Sequence, residues 1–388
     1  MKDFVFSFPT KIIFGKCAED NIGQMTALYG KHALILYGSS RIEKNGLLNK
    51  ITKLLEDNNV SYETYGGICE NPLLSDARAA CDIVKEKNID CLIAVGGGSV
   101  IDTAKTVAIG SCTETPMWDF FVGKMVPERA LPIGVVLTMA ATASEANGVA
   151  VLTNEKEKKK TMLFSPHFYP KFALLNPELT YTVPAKQTAI GAVDIFAHAF
   201  ERYFDLEQKN TLRNHLCVSV MKTVLEELPK VQNQLDDYAS RSQLMWSATM
   251  AHSDMIGAGG VFVCHEISHI LTEEYGIPHG LALGILMPAW CKYMLLTNAG
   301  DIARFAEDVF DVMKDVKTDQ AIAQEGISKM QQSICDAGLP VTLREAGIMF
   351  VNSKILARKV LSGDTTIGNC FRALSLHDIE AIIELAKG

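Results

Sequence analysis

The sequence predicts an α/β domain on a parallel sheet over residues 1–184, followed by an all-α domain over residues 185–388. Two patterns predict this. In the first half, the short apolar runs HALILYG, VSYETYG, CLIAVGGG and PIGVVLT alternate with segments of helical spacing near 46–58, 75–88 and 98–109. Strands that alternate with amphipathic helices form a parallel sheet covered by those helices. Beyond Val183-Pro184 the strand signals fade, and long helical patterns follow at 185–204, 209–228, 237–256 and 301–314.

Composition agrees with two ordinary globular cores. The 388 residues are 48% hydrophobic and 21% charged, a length and balance that allow two buried cores. A net charge of −8 gives no general attraction to nucleic acid or anionic membrane. No uninterrupted apolar stretch approaches the length of a membrane span. The ten cysteines are scattered without a CxxC pair, so neither a disulfide framework nor a thiolate zinc site is expected. MKDFVFSFPTK has no apolar segment followed by a small-residue cleavage site. A reducing cytoplasm is the expected location.

In the first half, IAVGGGSVIDTAK runs a strand through Gly96, Gly97 and Gly98 into a helix beginning near Ser99. Glycines let a phosphate approach the backbone, and a helix N-terminus offers unpaired N–H groups and a positive dipole end. The same residues also read as a plain tight turn, with Ser99 and Asp102 as an S-x-x-D capping box. A carboxylate repels pyrophosphate, so Asp102 would meet a ribose or an amide if a dinucleotide binds here. At the end of HALILYG come Gly38, Ser39, Ser40 and Arg41. Small residues and a cation there leave room for a 2′-phosphate, where an acid would favour free ribose hydroxyls. The charge run 155–160 lies between VAVLT and TMLF and reads as a hairpin tip. Its last lysine, Lys160, sits next to the second of these runs.

The second half holds the imidazoles. Asp194 and His198 are four apart in AIGAVDIFAHAFERYF, so both project from one helix face. Their apolar surroundings require a partner for an ionised carboxylate. His265-Glu266-Ile267-Ser268-His269 is a literal HExxH, the zinc signature of metalloproteases. The third histidine of the extended protease form is missing, because Leu271, Thr272 and Tyr275 occupy that stretch. His279 follows in GIPHG. Spacing alone leaves open which of these side chains hold an ion.

Together, Gly96-Gly97-Gly98-Ser99 with Asp102, LTMAATASE, DIFAHAFERY and the run from His265 to GIPHG resemble the iron-containing, or group III, alcohol dehydrogenase family over nearly the whole chain. The nearest subgroup is the NADP-dependent butanol dehydrogenase and broad aldehyde reductase type. The resemblance implies a dehydroquinate synthase-like arrangement, with an N-terminal dinucleotide-binding domain and a C-terminal helical domain that binds metal and substrate. It implies Asp194, His198, His265 and His279 as ligands of one divalent metal. It moves His269 to the nicotinamide, where an imidazole that titrates near neutrality suits a catalytic proton relay.

Cofactor contacts then fall on Gly97, Gly98, Ser99, Asp102, Thr138, Thr142 and Ser144, with Gly38, Ser39, Ser40 and Lys160 on the 2′-phosphate of NADP; NAD is the second choice. Ala143 stands where the family pattern usually has glycine. Three imidazoles and one carboxylate suit Fe(II) or Zn better than Mg or Ca. The expected reaction is hydride transfer between NADP(H) and a small aliphatic alcohol or aldehyde, with a metal-dependent lyase or cyclase on the same scaffold as the alternative. The expected partners are that substrate and a second copy of the chain, with no nucleic acid and no membrane. Trp118, Phe120, Phe121, Asn147, Met255 and Phe262 are candidates to line the substrate pocket.

Overall fold

In the computed structural model, residues 3, 5–205, 211–257, 259–368 and 370–388 are described. The chain divides into two compact units, one from Ser7–Thr182 with His252–Asp254, the other mainly from Val183–Ala251 and Met255–Gly388.

The first unit carries strands β1 (Lys11–Phe14), β2 (His32–Tyr37), β3 (Ser61–Tyr65), β4 (Cys91–Gly96), β5 (Ile133–Leu137), β6 (Val149–Asn154), β7 (Lys159–Phe164) and β8 (Phe172–Leu175). Six form one sheet in the order β1-β8-β5-β4-β2-β3, and every pair is parallel. The four expected apolar runs became β2, β3, β4 and β5. The residues of β4, β5 and β8 are all buried, as a sheet covered on both faces requires. Their continuous Val/Ile/Leu character follows from that cover. β6 and β7 make a separate antiparallel hairpin, with the lysine-rich tip where the charge run predicts it.

Helices α1 (Leu47–Glu56), α2 (Leu74–Lys87) and α3 (Gly98–Gly110) fill the crossovers. Strand order reverses between β2 and β4: from β2 the chain steps outward to β3, and from β4 it proceeds the other way to β5. The carboxyl ends at such a reversal form the crevice where open α/β sheets bind ligands. Gly38-Ser39-Ser40 and Gly96-Gly97-Gly98-Ser99 are the segments that leave these two ends.

The second unit is helical: α4 (Ala185–Tyr203), α5 (Thr211–Asn233), α6 (Tyr238–Ala251), α7 (Val263–Tyr275), α8 (His279–Phe310), α9 (Asp319–Asp336), α10 (Ser353–Leu361) and α11 (Leu376–Lys387). Residues 209 and 210 of the helix expected at 209–228 lie outside the described residues; from 211 the helix continues through Pro229. The segment expected at 301–314 is the end of the much longer α8, which departs from helical geometry at Asn298 (φ −129°, ψ 38°) and stops at Phe310. By length and hydropathy α8 meets the requirement for crossing a membrane, yet 72% of its apolar window is buried within the protein. It is the core helix of this bundle.

Helix α4 serves two environments. At about 100° per residue, Asp194, His198 and Glu201 share one face while Phe196 and Phe200 point the other way. The aromatic side interlocks with Trp290 and Phe305, with Phe200 ring centroids 5.5 Å and 5.3 Å from theirs. That packing anchors the helix that presents the polar face.

A candidate metal centre and a nucleotide cradle

Asp194, His198 and His265 are buried together, with one ligand atom from each within 4.8 Å of the others. Around Asp194 Oδ1 lie His198 Nδ1 at 3.5 Å, His265 Nε2 at 3.7 Å and His279 Nε2 at 3.8 Å. The four side chains expected as ligands therefore meet in the helical unit. His279 is the first residue of α8, after Pro278 as N-cap. A Cβ on the next residue, Gly280, would come 2.2 Å from the carbonyl oxygen of Ile190. Only glycine lets the start of α8 approach α4 closely enough to place His279 beside Asp194.

Each imidazole has its Nδ1 engaged. His198 Nδ1 is 2.8 Å from the Asp194 carbonyl oxygen, one turn back. His265 Nδ1 meets the Glu201 carboxylate. His279 Nδ1 lies 3.0 Å from Ser268 Oγ, whose own hydroxyl donates to the His265 carbonyl. With acceptors at every Nδ1, a proton sits there, and Nε2 is the nitrogen left to face a metal. His265 Nε2 is buried with no hydrogen-bond partner. Burying an imidazole nitrogen in that state is costly unless a cation completes it, so the donor set fits a divalent metal of the Fe(II) or Zn kind.

Burial pulls His198 down to about 3, with nearby His265 acting the same way against the opposing pull of Asp194. It stays neutral. For His265, burial also pulls down, but Glu201 and Asp194 outweigh it and lift the group to about 9. The metal must displace that proton. Uptake at pH 7 should therefore release about one proton, and apparent affinity should rise up to about tenfold per pH unit toward pH 9. Calorimetry in buffers of different ionisation enthalpy measures both; an affinity that is flat over this range would show His265 already unprotonated.

His269 lies one turn beyond His265, half-buried, with its ring 5.3 Å from that of His279. The Phe262 ring packs against the rings of His198 (6.1 Å) and His265 (5.4 Å), and Arg202 lies over it at 5.5 Å. Arg202 also donates to the carbonyls of Gly257 and Gly259, tying down the loop that carries Phe262. Of the other expected lining residues, Trp118 and Phe121 are buried and stacked on one another at 6.1 Å, with the indole N–H donating to Glu157. That is core packing of the first unit.

In the first unit the glycine triplet forms the turn expected, but not the capping box. Gly97 is the N-cap and α3 starts at Gly98, with no side-chain cap. Ser99 is thus already inside the helix, and the Asp102 carboxylate accepts instead from Ser144 Oγ (2.6 Å) and the Val151 N–H (3.0 Å). Each of its oxygens thus holds one protein donor. A Cβ at Gly98 would lie 2.6 Å from Thr142 Oγ1, which keeps the helix start bare. Thr138 follows β5 and donates its backbone N–H to Gly96. Ala143 adopts φ +51°, left-handed geometry that favours glycine.

Tyr37 and Gly38 accept backbone hydrogen bonds from Ile68 and Gly67. Further along that loop Asn71 accepts from Lys160 Nζ at 2.9 Å. Lys160 is also close enough to Asp102 to draw its carboxyl downward against the dominant effect of burial. Gly38 is thus tied to the loop at Gly67, and Lys160 reaches the same loop at Asn71. The structure adds Glu201, Ser268, Lys105 and Asn71 to the residues that the sequence marks. For Glu201 a signal existed: 194, 198 and 201 recur on one helical face.

A family model described as iron-containing alcohol dehydrogenase matches residues 9–177, and one described as Fe-containing alcohol dehydrogenase family, C-terminal, matches residues 188–387. The chain is 36% identical over 386 residues to a probable NADH-dependent butanol dehydrogenase 1 of Bacillus subtilis, covering 99% of each. It is 32% identical over 332 residues to the NADPH-dependent aldehyde reductase YqhD of Escherichia coli, covering 83% of this chain and 85% of that one. The crystal structure of an NADH-dependent butanol dehydrogenase A from Thermotoga maritima superimposes with a TM-score of 0.95 at 34% identity, covering 100% of this chain and 99% of that one.

Proposed function

Since the chain belongs to the iron-containing alcohol dehydrogenase family, we propose that it interconverts short aliphatic aldehydes and alcohols, butanal and butanol among them, using NADP(H) and one Fe(II) or Zn ion. It is an NAD(P)-dependent oxidoreductase of the alcohol dehydrogenase type. The observation that carries the reading is the set of three imidazoles around Asp194, with His265 Nε2 buried and unsatisfied. The relatives described are all named for oxidoreduction, which leaves the lyase alternative without support.

Asp194, His198, His265 and His279 would hold the ion. When bound, it supplies Lewis-acid polarisation of a carbonyl or alcohol oxygen. The nicotinamide supplies or accepts the hydride. The bare backbone at Gly97 and Gly98 and the N–H groups opening α3 bind the pyrophosphate. Phe262 gives the ligand histidines an apolar neighbour, which favours aliphatic substrates over sugars. The His269 imidazole carries the proton exchanged with the alcohol oxygen.

Preference for NADP rests on the absence of an acid in Gly38-Ser39-Ser40-Arg41 and on Lys160 at Asn71. Several relatives are named for NADH, so the preference is a property to be read from this chain's residues. All ten cysteines are free thiols, which supports a reducing, cytoplasmic location. β1 closes one edge of the sheet, with Phe14 exposed, and an unpaired edge of this kind supports a homodimer.

Protein loaded with Fe(II) or Zn should consume NADPH faster than NADH with butanal in a panel of short aldehydes. If no aldehyde consumes either cofactor with metal bound, the proposal fails. In the same assay Lys160→Ala should raise KM for NADPH tenfold or more relative to NADH, about 1.4 kcal/mol of lost contact; equal losses would move Lys160 off the 2′-phosphate. His269→Ala should lower turnover about a hundredfold and flatten the pH profile, and a profile matching the parent would remove the relay.

A further inference from the structure

Glu201 is 4% exposed, and a buried carboxylate needs donors. It finds them at the start of α7. Its oxygens accept the N–H of Cys264 at 2.5 Å and of His265 at 3.3 Å, and one of them also takes the Nδ1 of His265. The N-cap of α7, Phe262, has no side-chain cap of its own. A carboxylate from α4 therefore caps α7 from outside, at the end where unpaired N–H groups and the helix dipole favour negative charge.

The two backbone contacts fix the carboxylate, and the fixed carboxylate orients the imidazole. We propose that Glu201 is a positioning residue for the metal: it holds the proton on His265 Nδ1 and aims Nε2 toward Asp194, 3.7 Å away. This rests on the metal reading above. Of the three groups that hold an Nδ1, the Asp194 carbonyl, Ser268 and Glu201, only Glu201 bears charge. With Asp194 it brings two negative charges to a divalent ion, and it strengthens His265 as a donor in a way that neutral acceptors do not.

The test compares the parent with Glu201→Gln, both stripped by chelator. Each is titrated with Zn in competition with a chromophoric chelator, and with Co(II) followed by visible absorption. The variant is expected to bind Zn about 10- to 100-fold more weakly and to show an altered Co(II) spectrum, with NADPH binding within twofold of the parent. Parent-like affinity and spectrum, with only a lower melting temperature, would reduce Glu201 to a helix cap and overturn the proposal.

Should the variant fail to fold, 15N-histidine spectra of the Zn-loaded parent decide. His265 protonated at Nδ1 supports the role; His265 bare at Nδ1 overturns it. A parent that takes up no metal overturns the metal reading, an outcome distinct from an unaffected variant.

Discussion

Alanine at His198 is expected to lower aldehyde reduction by about three orders of magnitude or more and to leave the purified protein with little metal. Losing about 4 kcal/mol of transition-state stabilisation is a factor of about a thousand in rate, and Lewis-acid polarisation supplies several kcal/mol. The fold should survive. The His198 ring hydrogen-bonds within α4, to the carbonyl four residues back, and the opposite face of that helix is anchored by Phe200 against Trp290 and Phe305. Metal content by elemental analysis, NADPH affinity and kcat with butanal separate the causes. Loss of metal and rate with NADPH affinity intact is the expected pattern; a variant with full metal and a rate within tenfold of the parent would remove His198 from the ligand set.

Methionine at Lys105 is expected to destabilise the first unit by about 3 kcal/mol or more, the usual cost of removing one partner from a buried charged network. Lys105 is completely buried. Its ammonium donates to Ser144 Oγ (2.9 Å), Asn147 Oδ1 (3.0 Å) and the Val149 carbonyl (2.7 Å), which uses all three donors. Burial lowers it to about 8 while Asp102 and Glu145 pull upward, so it remains charged at pH 7. Methionine fills the volume but orphans three acceptors and leaves Asp102 with only the weaker pull of Lys160. These bonds join α3 to the segment carrying Thr142 and Ser144, so weaker NADPH binding should accompany the loss. Denaturant unfolding and cofactor titration measure both; a change in stability below about 1 kcal/mol, within the scatter of surface substitutions, would refute the network's role.

The legible parts of the fold were those with local signals. β2, β4 and β5 announce themselves because strands covered on both faces read as unbroken apolar runs, and α4 because its apolar spacing persists over five turns. β1 and β8 leave no such signal; each has four residues, too short for periodicity to show. The capping box at Ser99 and Asp102 failed for a tertiary reason. Ser144, 42 residues downstream, offers the Asp102 carboxylate a hydroxyl at 2.6 Å, and that bond together with the Val151 N–H outweighs a local cap.

By itself the sequence determined the kind of donors and their helical faces, since Asp194 and His198 share a face at four-residue spacing wherever that helix packs. It also settled the family, and with it the reaction class. His265 and His269 also share a face at four-residue spacing, so nothing local separates them. Only the tertiary structure puts His265 Nε2 3.7 Å from Asp194 and packs the His269 ring against that of His279. The tertiary structure likewise decided which nitrogen each imidazole offers, because the group that holds Nδ1 of His265 lies 64 residues earlier in the chain. Tautomer and aim depend on contacts between helices, and contacts of that range leave no periodic trace in a sequence.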